Sequence, residues 1–200
     1  EGLGEGTPIA RMTFKNHGCC GHIFPAVDGV RTLQTQAGFV ADDIQSITVH
    51  GYGPTAAICD RMVVESARDA RFSVQYCIGA LRTIGRVRMD AFTPEARARE
   101  DIREIMTRIT VVEDPEIAAA YPRRRMARLR VELKDGRVLE HFQQTRKGDP
   151  DDPLTDEELT EKFDELAGVA LGDEERQDLK QQVLFGADTP GALQLAQRPA

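Results

Sequence analysis

The chain has 200 residues, 40% apolar and 30% charged, enough to bury a real core in one domain or in one domain with a helical extension. Acidic residues outnumber basic ones by 33 to 26, and the net charge of -7 argues against nucleic acid or an anionic membrane as the main partner. A small anionic ligand remains open, because a few local cations suffice to hold one, and no apolar run approaches the ~20 residues needed to span a bilayer.

The opening Glu1-Gly-Leu-Gly-Glu-Gly-Thr-Pro8 reads as a turn-rich linker. It has neither the basic nor the apolar region of a signal peptide, and it lacks an initiator methionine. A fragment, a processed product or a separate subunit is expected. Four irregularly spaced cysteines do not form a secreted disulfide framework, so a reducing, cytoplasmic compartment is expected.

A dense titratable loop follows, with Lys15, His17, Cys19, Cys20 and His22 interleaved with Gly18 and Gly21. Such a loop feeding a helix is a candidate active-site wall. Val27, Val30 and Leu33 recur at near-helical spacing, Pro25 suits a first turn, and Gly38 suits a stop. Alternation at Ile47 and Val49 predicts a strand over 44–50, broken by Gly51, Gly53 and Pro54. Residues 55–71 are less regular. Met62, Val63 and Val64 suggest a short buried piece among exposed turns.

From Ser73, a fair N-cap, Val74, Cys77, Ile78, Leu81 and Ile84 fall on one helical face that Gly85 ends. A charged amphipathic helix is expected from Pro94 to Thr107, a β-branched strand over 109–112, and a short helical turn after Asp114-Pro115. Leu129, Val131 and Leu133 alternate in a strand over 126–133. Asp135-Gly136 then turns the chain into a return strand over 138–144. Thr155 with Glu158 forms a capping-box pattern for a helix to about Ala167, and a further helix runs from Asp173 to about Leu184. The residues after 185, with Gly186, Pro190, Gly191 and Pro199, read as a frayed end. Mixed strands with one antiparallel hairpin define an α+β fold: a small mixed sheet covered by helices, then a helical C-terminal segment.

The His17, Cys19, Cys20, His22 cluster has the ligand chemistry of zinc but not its spacing, so no metal is expected there. Small thiols packing the loop are the plainer reading of at least one cysteine. Lys15, beside Phe14 at the start of the loop, is either an exposed lysine or a point cation for a carboxylate. Gln75 and Tyr76 could face a site or the core. Arg146-Lys147-Gly148 is a cationic turn, and His50 and His141 read as surface or packing residues. Phosphate-loop, dinucleotide, serine-hydrolase and zincin motifs are absent from the sequence.

Several stretches resemble the MmgE/PrpD family, which includes 2-methylcitrate dehydratase, cis-aconitate decarboxylase and iminodisuccinate epimerase. They are Lys15 with Cys20 five residues on and Ala26-Val27-Asp28 beginning a helix; Asp69-Ala-Arg-Phe-Ser-Val-Gln-Tyr76 with Gly85; Tyr121-Pro122; and Lys147-Gly-Asp-Pro-Asp-Asp-Pro-Leu154 with Lys162-Phe163. The resemblance implies a lid-like α+β domain over residues 1–150 and a C-terminal segment over 151–200 that packs on a helical domain absent from this chain. It implies a cofactor-independent lyase acting on a small di- or tricarboxylate, with no metal or organic cofactor. Lys15, His22 and Cys20 are the expected catalytic residues. Lys15, Tyr76, Gln75 and Lys147 are the expected substrate-binding residues. A family histidine is replaced by Phe24, with His22 two residues earlier. A homodimer or a complex with a helical N-terminal domain is expected, with no nucleic acid and no membrane. Epimerase or decarboxylase chemistry, or a non-catalytic binding or assembly subunit, are the alternatives.

Overall fold

The computed structural model describes residues 11–185, so the linker expected over 1–9 and the frayed end expected after 185 lie outside the described residues. The chain divides into two compact units, the first ending at Pro153 and the second beginning at Leu154.

The first unit is built on a four-stranded mixed sheet: β1 (Ile44–Gly51), β2 (Ile109–Glu113), β3 (Ala127–Leu133) and β4 (Val138–Gln143). Its order is β2-β1-β3-β4, with β1 parallel to β2 and antiparallel to β3. The alternation read from the sequence sets the register. Ile47 faces Val131 and Val49 faces Leu129 across the β1–β3 pair, and all four are fully buried. The β3–β4 hairpin closes with the Leu133 amide donating to Arg137 O and the Gly136 amide to Leu133 O.

Helices α1 (Phe24–Ala37) and α4 (Val74–Ile84) supply the apolar stripe that covers the sheet's buried face. Each ends at a glycine in the left-handed region, Gly38 at φ 68° and Gly85 at φ 88°, as the stop signals predict. A β-carbon on Gly29 would lie 2.6 Å from a Leu129 methyl, so α1 approaches β3 closely through that position. The parallel β1–β2 connection crosses over through α2 (Gly53–Cys59), α3 (Ala67–Arg71), α4, α5 (Pro94–Ala98) and α6 (Glu100–Met106). The short α7 (Pro115–Ala120) follows β2, capped by the Asp114 carboxylate on the amides of Glu116 and Ile117.

The α+β expectation holds, with three local corrections. Residues Gly53–Cys59 form a helix where Gly51, Gly53 and Pro54 were read as breakers. Pro54 sits in the first turn, where a proline costs no helical hydrogen bond. Met62 and Val63 are exposed rather than buried, at 47% and 72%; only Val64 packs against the core. The helix expected from Pro94 to Thr107 is broken at Arg99, whose ψ of 127° is extended.

The second unit pairs α8 (Asp156–Ala167) with α9 (Asp173–Phe185). The Thr155–Glu158 capping box is reciprocal. Leu171 and Leu179 form a small core with Phe163 and Ala167, and Asp164 accepts from Lys180 at 3.1 Å. Among the described residues, no helix is long and apolar enough to cross a membrane.

Tight packing of α4 on α6 gives a test of the core. A β-carbon on Gly79 would stand 3.0 Å from the Ile102 carbonyl oxygen, a backbone atom that cannot rotate away. Gly79→Val is expected to lower stability by ~1–3 kcal/mol through overpacking, read as a drop in the urea midpoint at unchanged m-value.

Candidate active site

The loop from Met12 to His22 is fastened by several distant segments. The Phe14 amide donates to Gly148 O, the Gly18 amide to Val87 O and the Cys20 amide to Arg71 O, each at 2.8 Å. Arg88 donates to the Asn16 side chain at 3.0 Å. At its centre lies Asp28, on the first turns of α1 and 8% exposed. Asp28 Oδ1 is 2.8 Å from His17 Nε2, and Oδ2 accepts the Lys147 amide at 2.9 Å. One buried carboxylate therefore ties the loop before α1 to the turn after β4. The His17 ring also stands edge-on against Phe24.

Lys15, Cys20 and His22 share one electrostatic environment. The hydrogen bond donated by the Cys59 thiol draws the Cys20 pKa down to about 6, against an opposing burial effect, with help from the His22 amide and the Lys15 charge. Cys59 is pushed up in turn, first by its bond to Cys20 and then by burial. Burial lowers the His22 pKa from 6.5, and the positive charges of Arg125, Arg146 and Lys15 lower it further. At neutral pH the loop therefore presents a thiolate and a neutral imidazole.

His22 Nδ1 is 3.0 Å from the Tyr52 hydroxyl, and Thr55 Oγ1 donates to His22 O at 3.3 Å. Tyr52 is fully buried and stacked on Tyr121 at 4.7 Å. Burial raises its pKa, so the phenol stays protonated. Arg125 lies over the Tyr121 ring, and its buried Nε has no hydrogen-bond partner. Arg146 forks onto Asp149, Nε to Oδ2 at 2.9 Å and Nη2 to Oδ1 at 2.6 Å. Its Nη1 faces Gly21 so closely that a β-carbon there would stand 3.1 Å away.

The remaining expected residues sit elsewhere. The Lys147 ammonium is 3.2 Å from Asp152 Oδ1, and it is the Lys147 backbone amide that reaches the site loop through Asp28. Tyr76 is 1% exposed, and its hydroxyl donates to Ala91 O at 2.6 Å. Gln75 is also 1% exposed; its amide group donates to Asp60 and accepts from the Arg61 amide at 3.2 Å. Their polar atoms are satisfied inside the fold, where Gln75 holds the segment just after Cys59. Among the described residues, no group of three or more His, Cys, Asp or Glu side chains is arranged to hold a metal ion.

The sequence carries no signal for Tyr52 or Arg125 in this arrangement, marks Arg146 only as part of a cationic turn, and marks Asp28 only as part of a motif beginning a helix. The fold and the site loop define a small α+β domain whose titratable side chains are presented from the loop ahead of its first helix. A sequence model described as the MmgE/PrpD C-terminal domain matches residues 17–185, and the chain belongs to the MmgE/PrpD family. It is similar to a cis-aconitate decarboxylase-like protein of Aspergillus oryzae, 28% identical over 192 residues. That alignment takes in 91% of this chain but only 39% of the relative, so the chain spans well under half of that protein's length.

Two measurements probe this geometry. Alkylation of Cys20 by iodoacetamide, followed by peptide mass, should rise with pH around a midpoint near 6, because the reactive thiolate forms as pH climbs through the lowered pKa. A midpoint above 8 would contradict the stabilised thiolate. Asp28→Ala removes two hydrogen bonds onto a buried carboxylate and should cost about 3 kcal/mol in urea unfolding, while Asp28→Asn costs less.

Proposed function

We propose that this chain supplies the loop-borne side of a cofactor-independent acid–base site for a small di- or tricarboxylate. The proposed reaction is a dehydration of the 2-methylcitrate dehydratase kind. The reading is supported above all by the convergence of Lys15, Arg125 and Arg146 on His22, in the loop that holds Cys20 as a thiolate. Arg146 is forked onto Asp149, and we assign Lys15 and Arg125 as the cations that meet a ligand carboxylate.

Removing a proton beside a carboxylate builds negative charge on that carboxylate, and fixed cations lower the cost of that charge. Cys20 takes the proton and Lys15 with Arg125 hold the developing charge. Hydroxide leaves from the adjacent carbon and recovers the proton from the Cys20 thiol, so the products are water and an alkene. With the Tyr52 phenol as donor to His22 Nδ1, 3.0 Å away, the imidazole hydrogen would sit on Nε2 as a donor for substrate oxygen. Tyr76 and Gln75 act from behind the loop.

Similarity to the fungal cis-aconitate decarboxylase-like protein favours a second reading, decarboxylation at the same site. There the carboxylate leaves as CO2 and the carbanion is protonated instead. Epimerisation would require reprotonation on the opposite face. The same proposal assigns residues 1–150 as a lid-like domain and 151–200 as a helical return onto a separate helical domain, in a homodimer or in a complex with that domain.

Titration of the labelled chain with citrate tests binding directly. Amide shifts are expected at residues 15–22, 125 and 146 and are expected to vanish in Lys15→Ala. With the helical part of the family supplied, Lys15→Ala should lower turnover of a hydroxylated tricarboxylate at least ~100-fold. Unchanged turnover would remove Lys15 from the site. Binding with no turnover of any citrate-like substrate would favour the non-catalytic binding subunit.

A further inference from the structure

Three consecutive arginines, Arg123, Arg124 and Arg125, line a cavity of about 60 Å³ together with Gln144 and Thr145. The sheet register brings these residues together. Ala127 at the start of β3 pairs with Gln143 at the end of β4, so the residues just before β3 and just after β4 meet at the open end of that hairpin. Both sides are held. The Arg124 amide donates to Ala120 O at 3.0 Å, and Gln143 Nε2 donates to Thr145 O at 2.9 Å. Among the described residues, none of the three arginines pairs with a carboxylate, although acids outnumber bases in the chain. The next two arginines along the chain do. Arg128 lies 3.5 Å from Asp114, and Arg130 pairs with Glu132.

Two carboxylates border the cavity, Asp149 and Asp151. Both oxygens of Asp149 already accept from Arg146, and Asp151 is exposed. With Arg146 set against Asp149, three arginines against Asp151 leave a surplus of two positive charges. The buried Nε of Arg125 has no hydrogen-bond partner, and an incoming oxygen would satisfy it. Gln144 and Thr145 are the neutral hydrogen-bonding residues of the lining.

We propose that this cavity binds a phosphate dianion, either inorganic phosphate or the phosphoryl end of a small phosphomonoester. One guanidinium fork satisfies both oxygens and the single charge of a carboxylate. A phosphate group offers more acceptor oxygens and a second charge, which suits several guanidiniums and a surplus of two. The space exceeds the ~10–15 Å³ that a single water needs, so a small polyatomic ion has room. Arg125 also borders the acid–base loop: its guanidinium lies 5.9 Å from the Tyr121 ring centroid, and that ring is 6.1 Å from the His22 ring. Phosphate would therefore engage a cation assigned above to the substrate carboxylate, and the two ligands would oppose one another. That opposition rests on the proposed function, whereas phosphate binding does not.

The test titrates the isotope-labelled chain with sodium phosphate at constant ionic strength and ~pH 7.5, where a phosphomonoester is close to a dianion. Saturable shifts are expected at residues 123–125 and 144–145. The exposed pair Arg123→Gln/Arg124→Gln should weaken binding at least ~10-fold, and Arg68→Gln, which removes an exposed arginine elsewhere, should leave it unchanged. Glycerol phosphate run in parallel assigns the source: tighter binding of the ester points to a phosphomonoester, and tighter binding of the free ion points to inorganic phosphate. No saturable shift in the wild-type chain, or equal weakening by Arg68→Gln, overturns the proposal. Citrate separates the two readings. Citrate shifts at residues 15–22 with no phosphate shift at 123–125 remove the phosphate site and leave the proposed function standing. Phosphate shifts with no citrate binding uphold the phosphate site and count against the polycarboxylate reading.

Discussion

The carboxylate of Asp28 is the constraint on which the site's geometry depends. It sits on a helix that packs against the sheet through Gly29 and Leu129, and each of its oxygens meets a protein donor or ring nitrogen. One oxygen meets His17 in the preceding loop and the other meets the backbone of the turn after β4. Arg146 lies in that turn and Lys15, Cys20 and His22 lie in that loop. A buried acceptor left without donors is costly, so the two segments move together or not at all. The loop also takes backbone partners from residues 71, 87 and 148, which makes it a rigid wall despite its lack of regular structure.

Two titratable groups two residues apart are depressed by different causes, and this gives them different states. Cys20 falls because a thiol and an amide donate to its sulfur, so the charged form is favoured. His22 falls because burial and three cations disfavour its charged form. The same lysine contributes to both, stabilising an anion and opposing a cation. The result is a loop with cations beside one proton acceptor, the combination that the proposed proton abstraction beside a carboxylate calls for.

Legibility in the sequence followed the range of the interaction. The strands were readable because Ile47, Val49, Leu129 and Val131 alternate at the period of a pleated sheet, and the helix ends because Gly38 and Gly85 mark them. Residues 53–59 were misread because Pro54 breaks a helix in its interior but suits its first turn, and composition alone does not say which applies. In the site, Lys15, Cys20 and His22 were visible because they crowd one loop. Tyr52, Arg125 and Arg146 reach the same place from a strand end and two separate turns, a convergence that only tertiary structure makes. Asp28 was visible as part of a motif, but its two partners lie 11 residues before it and 119 after it.

The Phe72-Ser-Val-Gln-Tyr76 stretch shows why a recognisable motif does not by itself assign contact with a ligand. Each of its polar side chains is used inside the fold: Ser73 caps α4 and donates to Arg61 O, Gln75 grips Asp60 and Arg61, and Tyr76 donates to Ala91 O. Burial pushes the Tyr76 phenol up to about 12, which keeps it a donor to that carbonyl rather than a proton source near neutrality. The consequence reaches the site indirectly. Holding 60–61 fixes the end of α2, the end of α2 carries Cys59, and Cys59 sets the ionisation of Cys20. A substitution at Gln75 would thus act through the thiol pair, and its signature would be a changed Cys20 pH profile rather than a lost contact with substrate.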